Sequence, residues 1–154
     1  MKISIPERIN LQDIVKLSQW SDCYILVTSC GVDGIKEFAK RQSQLDRKSE
    51  TLNREKSKYS KLLEKNPDDA QLVKLLDEIN AKIEKVGEEM FDFLVEFIER
   101  RFISGSVFDS DTNQVVQLTK DNASEALKQF NIKMLKKIIR EMLGQSDDEK
   151  KDLA

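Results

Sequence analysis

The sequence predicts a mainly α-helical protein organised around a long antiparallel helical hairpin, about residues 35–65 and 68–103, and three observations lead to it. First, Ile35 to Lys65 contains neither proline nor glycine, and Phe38, Leu45, Leu52 and Tyr59 recur seven apart on an otherwise polar background. Second, Leu72, Leu76, Ile79, Ile83, Val86, Met90, Phe93 and Phe97 follow alternating steps of four and three. That is the seam of a helix that packs on another helix. Third, Asn66-Pro67-Asp68-Asp69 separates the two stretches with residues suited to a cap, a first helical position and the positive end of a helix dipole. Charged residues at 35% against 5 Gly and 2 Pro fit solvated helices better than a sheet-rich globule.

The two stripes also predict a register. Facing residues in an antiparallel hairpin have numbers with a constant sum. Tyr59 with Leu72, Leu52 with Ile79, Leu45 with Val86 and Phe38 with Phe93 all give 131. The centre therefore falls at Asn66-Pro67, which the turn chemistry selects independently. The outer half of the first helix is poor in apolar residues. Toward the other end, Met90, Phe91, Phe93, Leu94, Val95, Phe97, Ile98 and Phe102 surround the second helix. A helix apolar on every side needs cover from other elements. This places the core and a partner site at the hairpin base.

Lys2–Ile5 reads as a short extended piece stopped by Pro6, and Asn10 with Asp13 as an approximate capping box for a short helix. The run Cys23-Tyr24-Ile25-Leu26-Val27 suits either a helix over residues 23–29 or a buried strand; Gly31 as a helix stop favours the helix. After Gly105, Val107-Phe108 and Val115-Val116-Gln117-Leu118 flank an acidic turn and predict a β-hairpin. Asn122 with Glu125 opens a short helix. Asn131 opens the last one, which Gly144 stops. The expected organisation is a single helical domain over residues 1–144, with a protruding arm at 40–90 and a disordered tail at 145–154.

Composition narrows the chemistry. The chain has no histidine, which excludes Ser-His and Cys-His nucleophile systems. Cys23 and Cys30 are the two cysteines and read as small hydrophobes in a reducing compartment. Asp109-x-Asp111-x-Asn113 imitates the start of a calcium loop, but Gln114 and Lys120 stand where glycine and a bidentate glutamate are needed, so it reads as an acidic turn. No catalytic, metal or cofactor site emerges. A net charge of −2 provides no overall field for nucleic acid or membrane, and no apolar run spans a bilayer. A cytoplasmic protein is expected. Its partners are expected to be other proteins, and the thin stripe on residues 35–65 leaves room for a homo-oligomer.

The partner-binding candidates are Trp20, Phe91, Leu94, Phe102 and the basic face Lys133, Lys136, Lys137 and Arg140. Trp20 stands between short elements and can serve as core or interface anchor. Four cations on one side of an amphipathic helix are more often a solvated face.

Two segments carry a resemblance. Ile3-Ser4-Ile5-Pro6-Glu7-Arg8-Ile9-Asn10-Leu11-Gln12-Asp13-Ile14, followed by Cys30-Gly31-Val32, resembles the beginning of small tailed-bacteriophage proteins. Phe102 to Leu143, with its acidic turn, Leu118-Thr119-Lys120-Asp121-Asn122 and amphipathic last helix, is similar to the C-terminal half of phage tail assembly chaperones. The resemblance covers about half of the chain and departs from the family in its long charged hairpin. It implies a non-enzymatic assembly factor that coats a tape-measure or tail tube protein. A minor structural virion protein, or an inhibitor or adaptor acting on a host macromolecule through the hairpin, is the alternative.

Overall fold

The computed structural model describes residues 5–144. Its elements run β1 (Pro6–Asn10), α1 (Gln12–Val15), β2 (Tyr24–Thr28), α2 (Val32–Lys65), α3 (Ala70–Glu99), β3 (Phe102–Asp109), β4 (Gln114–Leu118), α4 (Ala123–Leu127) and α5 (Ile132–Met142). The protein is mainly helical, and its two long helices pack together, as the heptad pattern predicts. Contacts divide the chain into two units: Met1–Ile35 with Phe93–Ala154, and Lys36–Asp92. The tail expected at 145–154 lies outside the described residues.

Within Lys36–Asp92, the helices run antiparallel. Glu89 of α3 lies 3.9 Å from Arg41 and 3.6 Å from Lys48 of α2. These pairs sum to 130 and 137 and bracket the expected register. Phe38, Leu45, Ile79 and Met90 are buried. Leu52, Tyr59, Leu72, Leu76, Ile83 and Val86 are only half-buried, because two helices cannot enclose a seam on all sides.

The connection differs from expectation in its cap. Asp69 N–H donates to the Asn66 carbonyl at 3.1 Å, a turn with Pro67 at its second position. The Asp69 carboxylate then accepts from the N–H groups of Gln71 and Leu72. Asp69, not Asn66, is therefore the cap, and α3 begins at Ala70 rather than 68.

The other unit holds a four-stranded antiparallel sheet in the order β1-β2-β3-β4. This corrects the expectation of a helix over 23–29. Ile25 pairs with Ile9 on one side and Gly105 on the other, and Gly105 pairs with Leu118. That cross-strand row lies on the buried face, where β-branched residues pack well. Asn10 ends β1 instead of capping a helix; the residue before α1 is Leu11, whose side chain makes no capping bond. The second long helix stops at Glu99, not near 103. There the Arg101 carbonyl accepts from Thr28 N–H, the Arg101 guanidinium donates to the Phe97 carbonyl, and Phe102 enters β3.

The expected hairpin is present as β3 and β4, with Asp109 paired to Gln114. Asp109 closes the turn by accepting from Asp111 N–H at 2.9 Å, and Asn113 adopts φ 58°, a conformation Asn tolerates well. The acidic residues thus have a turn-forming role. Asn131 caps α5 by accepting from Met134 N–H, and Gly144 follows it with φ +74°. Leu127, Leu135, Ile138, Ile139 and Met142, together with Leu94 and Ile98, fill the core beside the sheet.

Candidate functional site

The site forms where the open end of the sheet meets an aromatic cluster. Lys16 ends α1 in the left-handed conformation, φ 60°, and Leu17 is extended. A 3-10 turn over Ser18–Trp20 follows, and Cys23 N–H donates to the Trp20 carbonyl at 3.0 Å as the chain enters β2. This geometry sets the indole 6.4 Å from the Phe108 ring and 6.0 Å from the Phe130 ring, both tilted by nearly 60°. Such separations and angles suit the ring quadrupoles. Trp20 remains half-buried.

A cleft opens here, lined by Trp20, Val107, Phe108, Val116, Phe130 and Met134. Asp109, Asp111 and Glu125 add three carboxylates to its wall, and among the described residues no Lys or Arg lines it. Its floor is apolar and its rim acidic.

The strand beside the cleft is the sheet's terminal strand. Gln114-Val115-Val116-Gln117-Leu118 contains neither charge nor proline, and Val115 and Val116 are 41% and 36% exposed. The opposite terminal strand is guarded. β1 carries Pro6, Glu7 and Arg8, with the Arg8 guanidinium 4.2 Å over the Tyr24 ring. Proline and charge are the usual means of blocking edge-to-edge pairing. Among the described residues, one edge of this sheet is thus blunted and the other is open.

The other candidates fall in several places. Leu94 and Phe102 are fully buried core side chains, so neither presents a surface to a partner. Their apolar neighbours enclose them, so of the docking residues expected at the hairpin base these two belong to the core. Phe91 is half-buried. Lys133 is exposed, whereas Lys136, Lys137 and Arg140 are half-buried. Lys137 and Arg140 turn toward β1 and α1, where they line a second cleft with Arg8, Lys16, Asp13 and Glu141. The basic face is therefore split rather than a single solvated patch. Nearby, the Glu7 carboxyl is pushed above its ordinary range, first by burial and then by the Glu141 charge.

Both thiols are free. Burial raises Cys23, with Asp22 adding to it. Burial also raises Cys30, against the lowering effect of the Arg101 guanidinium. A raised thiol is a poorer nucleophile at neutral pH. Among the described residues no group of three or more acidic or cysteine side chains could hold a metal ion. No described helix is long and apolar enough to cross a membrane.

Sequence reasoning found Trp20 but not its companions Phe108, Val116 and Phe130. The contrast between the uncharged β4 and the guarded β1 was available as a signal. It acquires meaning only when both are known to be edges. No family model, curated protein or solved structure matches the chain.

Proposed function

We propose that the chain is a non-enzymatic protein-binding assembly factor that receives an extended segment of its partner along β4. The observation that carries this reading is the open β4 edge beside the Trp20 cleft. An added strand gains main-chain hydrogen bonds from the edge, while alternate side chains enter an adjoining pocket for specificity. The apolar floor favours an aliphatic or aromatic side chain there, and the acidic rim favours a flanking lysine or arginine. The setting in phage tail morphogenesis, with the tape-measure or tail tube protein as partner, is supported by the resemblance of the two end segments.

Co-expression with tape-measure and tail tube proteins, followed by affinity capture through the partner's tag, tests this. A complex lost in both Val116→Lys and Trp20→Ala, with folding preserved, is the expected result. Absence of a complex with any morphogenetic protein overturns the tail-assembly setting. A complex that survives both substitutions overturns the docking surface.

A further inference from the structure

Helix α2 distributes its charge unevenly around its axis. It carries ten basic and six acidic residues, a balance of +4, whereas α3 carries three and eight, a balance of −5. The whole-chain charge of −2 averages over this difference. Of the ten bases, Arg41 and Lys48 face Glu89 across the hairpin. Seven others, Lys36, Lys40, Arg47, Arg54, Lys58, Lys61 and Lys65, are all exposed. At 3.6 residues per turn these seven fall within an arc of about 60°, on the side opposite Phe38, Leu45, Leu52 and Tyr59. They form one straight ridge about 44 Å long.

Ser43, Thr51 and Ser57 lie on or beside that ridge, and its last third is a shallow groove lined by Arg54, Ser57, Lys58, Lys61, Leu62 and Lys65. Glu50 and Asp33 are the nearest acids on the helix, and Glu50 sits 4.0 Å from Arg54.

We propose that this ridge binds the phosphodiester backbone of a nucleic acid, without reading its sequence. Net charge is a poor guide, because fields are screened over about 8 Å at physiological salt. A helix is about 10 Å across, so charges on the remote side of α3 do not cancel the ridge. The choice of polyanion follows from magnitudes. Exposed Lys–carboxylate pairs with an acidic protein each contribute little. A nucleic acid carries condensed counterions, and each phosphate neutralised releases them with a gain in entropy. Lysine, arginine and hydroxyl side chains are the ordinary phosphate contacts.

The test is fluorescence anisotropy with a labelled 25-base-pair duplex of mixed sequence, at 50 and 200 mM salt. If about five phosphates are engaged, affinity falls roughly 500-fold between the two conditions. Arg54→Gln/Lys58→Gln/Lys61→Gln should lose three contacts and reduce that ratio to about 12-fold, with much weaker binding at low salt. Lys56→Gln/Lys74→Gln/Lys128→Gln removes equal charge from exposed positions off the ridge and should bind nearly as the parent does. Matching circular dichroism melts for both variants keep the comparison valid. No binding at 50 mM salt overturns the proposal, as does equal loss in the two variants. Salt-sensitive self-association by sedimentation, abolished by the ridge variant and unaccompanied by duplex binding, also overturns it and gives the ridge to an acidic face of a second copy.

Discussion

Gly105 sits directly across from Ile25 in the β2–β3 pair, and a Cβ there would lie 2.7 Å from the Tyr24 carbonyl oxygen. Real side chains do not tolerate that approach to backbone, so the two strands could not keep their spacing. Gly105→Ala should therefore destabilise the protein by about 2 kcal/mol. Gly87, exposed inside α3 with nothing within 4 Å of an added Cβ, is the counterpart. Gly87→Ala should stabilise by about 0.5–1 kcal/mol. Urea titration of both variants checks the pair, and effects of equal sign would contradict the packing described.

The hairpin seam makes a graded prediction. Leu45 is fully buried, Ile83 half-buried and Gln44 exposed. Leu45→Ala should cost about 2–4 kcal/mol. Ile83→Ala should cost less, about 1–2 kcal/mol, because part of its surface stays in water. Gln44→Ala should stay under about 0.5 kcal/mol. Chemical unfolding followed by helical circular dichroism measures all three, and a flat series would remove the register.

Glu7 provides a pH test. Burial and, secondarily, Glu141 raise its carboxyl above the ordinary value of 4.5. A carboxyl raised in the folded state makes a contribution present below its unfolded value and lost as pH rises through the folded one. Glu7→Gln is neutral at every pH. Its melting temperature should exceed the parent's at neutral pH, and the difference should vanish in acid below 4.5. Parallel thermal melts across that range decide it; a difference independent of pH would exclude the linkage.

Trp20, the only tryptophan, reports on its own cleft. Its half-buried position between Phe108 and Phe130 predicts intermediate quenching by acrylamide. Phe130→Ala removes one wall and should increase both the quenching constant and the emission wavelength. Val116→Lys, on the open edge, should change stability by less than about 0.5 kcal/mol. A large loss of stability in Val116→Lys would show that the edge is covered rather than open.

The long helices were determined locally and could be read from the chain alone. Heptad spacing from Leu72 to Phe97 and the Asn66–Asp69 turn specify two antiparallel helices, because both depend on neighbours within a few residues. The β3–β4 hairpin and the Asn131 cap were readable for the same reason. Tyr24–Thr28 was not. Its period is compatible with helix or strand, and its partners Pro6–Asn10 and Phe102–Ser106 are set by the tertiary fold, the second nearly eighty residues away. The site shares that dependence. Trp20, Phe108, Val116 and Phe130 look unrelated in sequence, and only the sheet order and the turn before β2 bring them around one cleft. The sequence by itself determined what short-range hydrogen bonding and periodicity control. Tertiary structure decided which edge was left open and which side chains converge on it, because long-range strand pairing controls both.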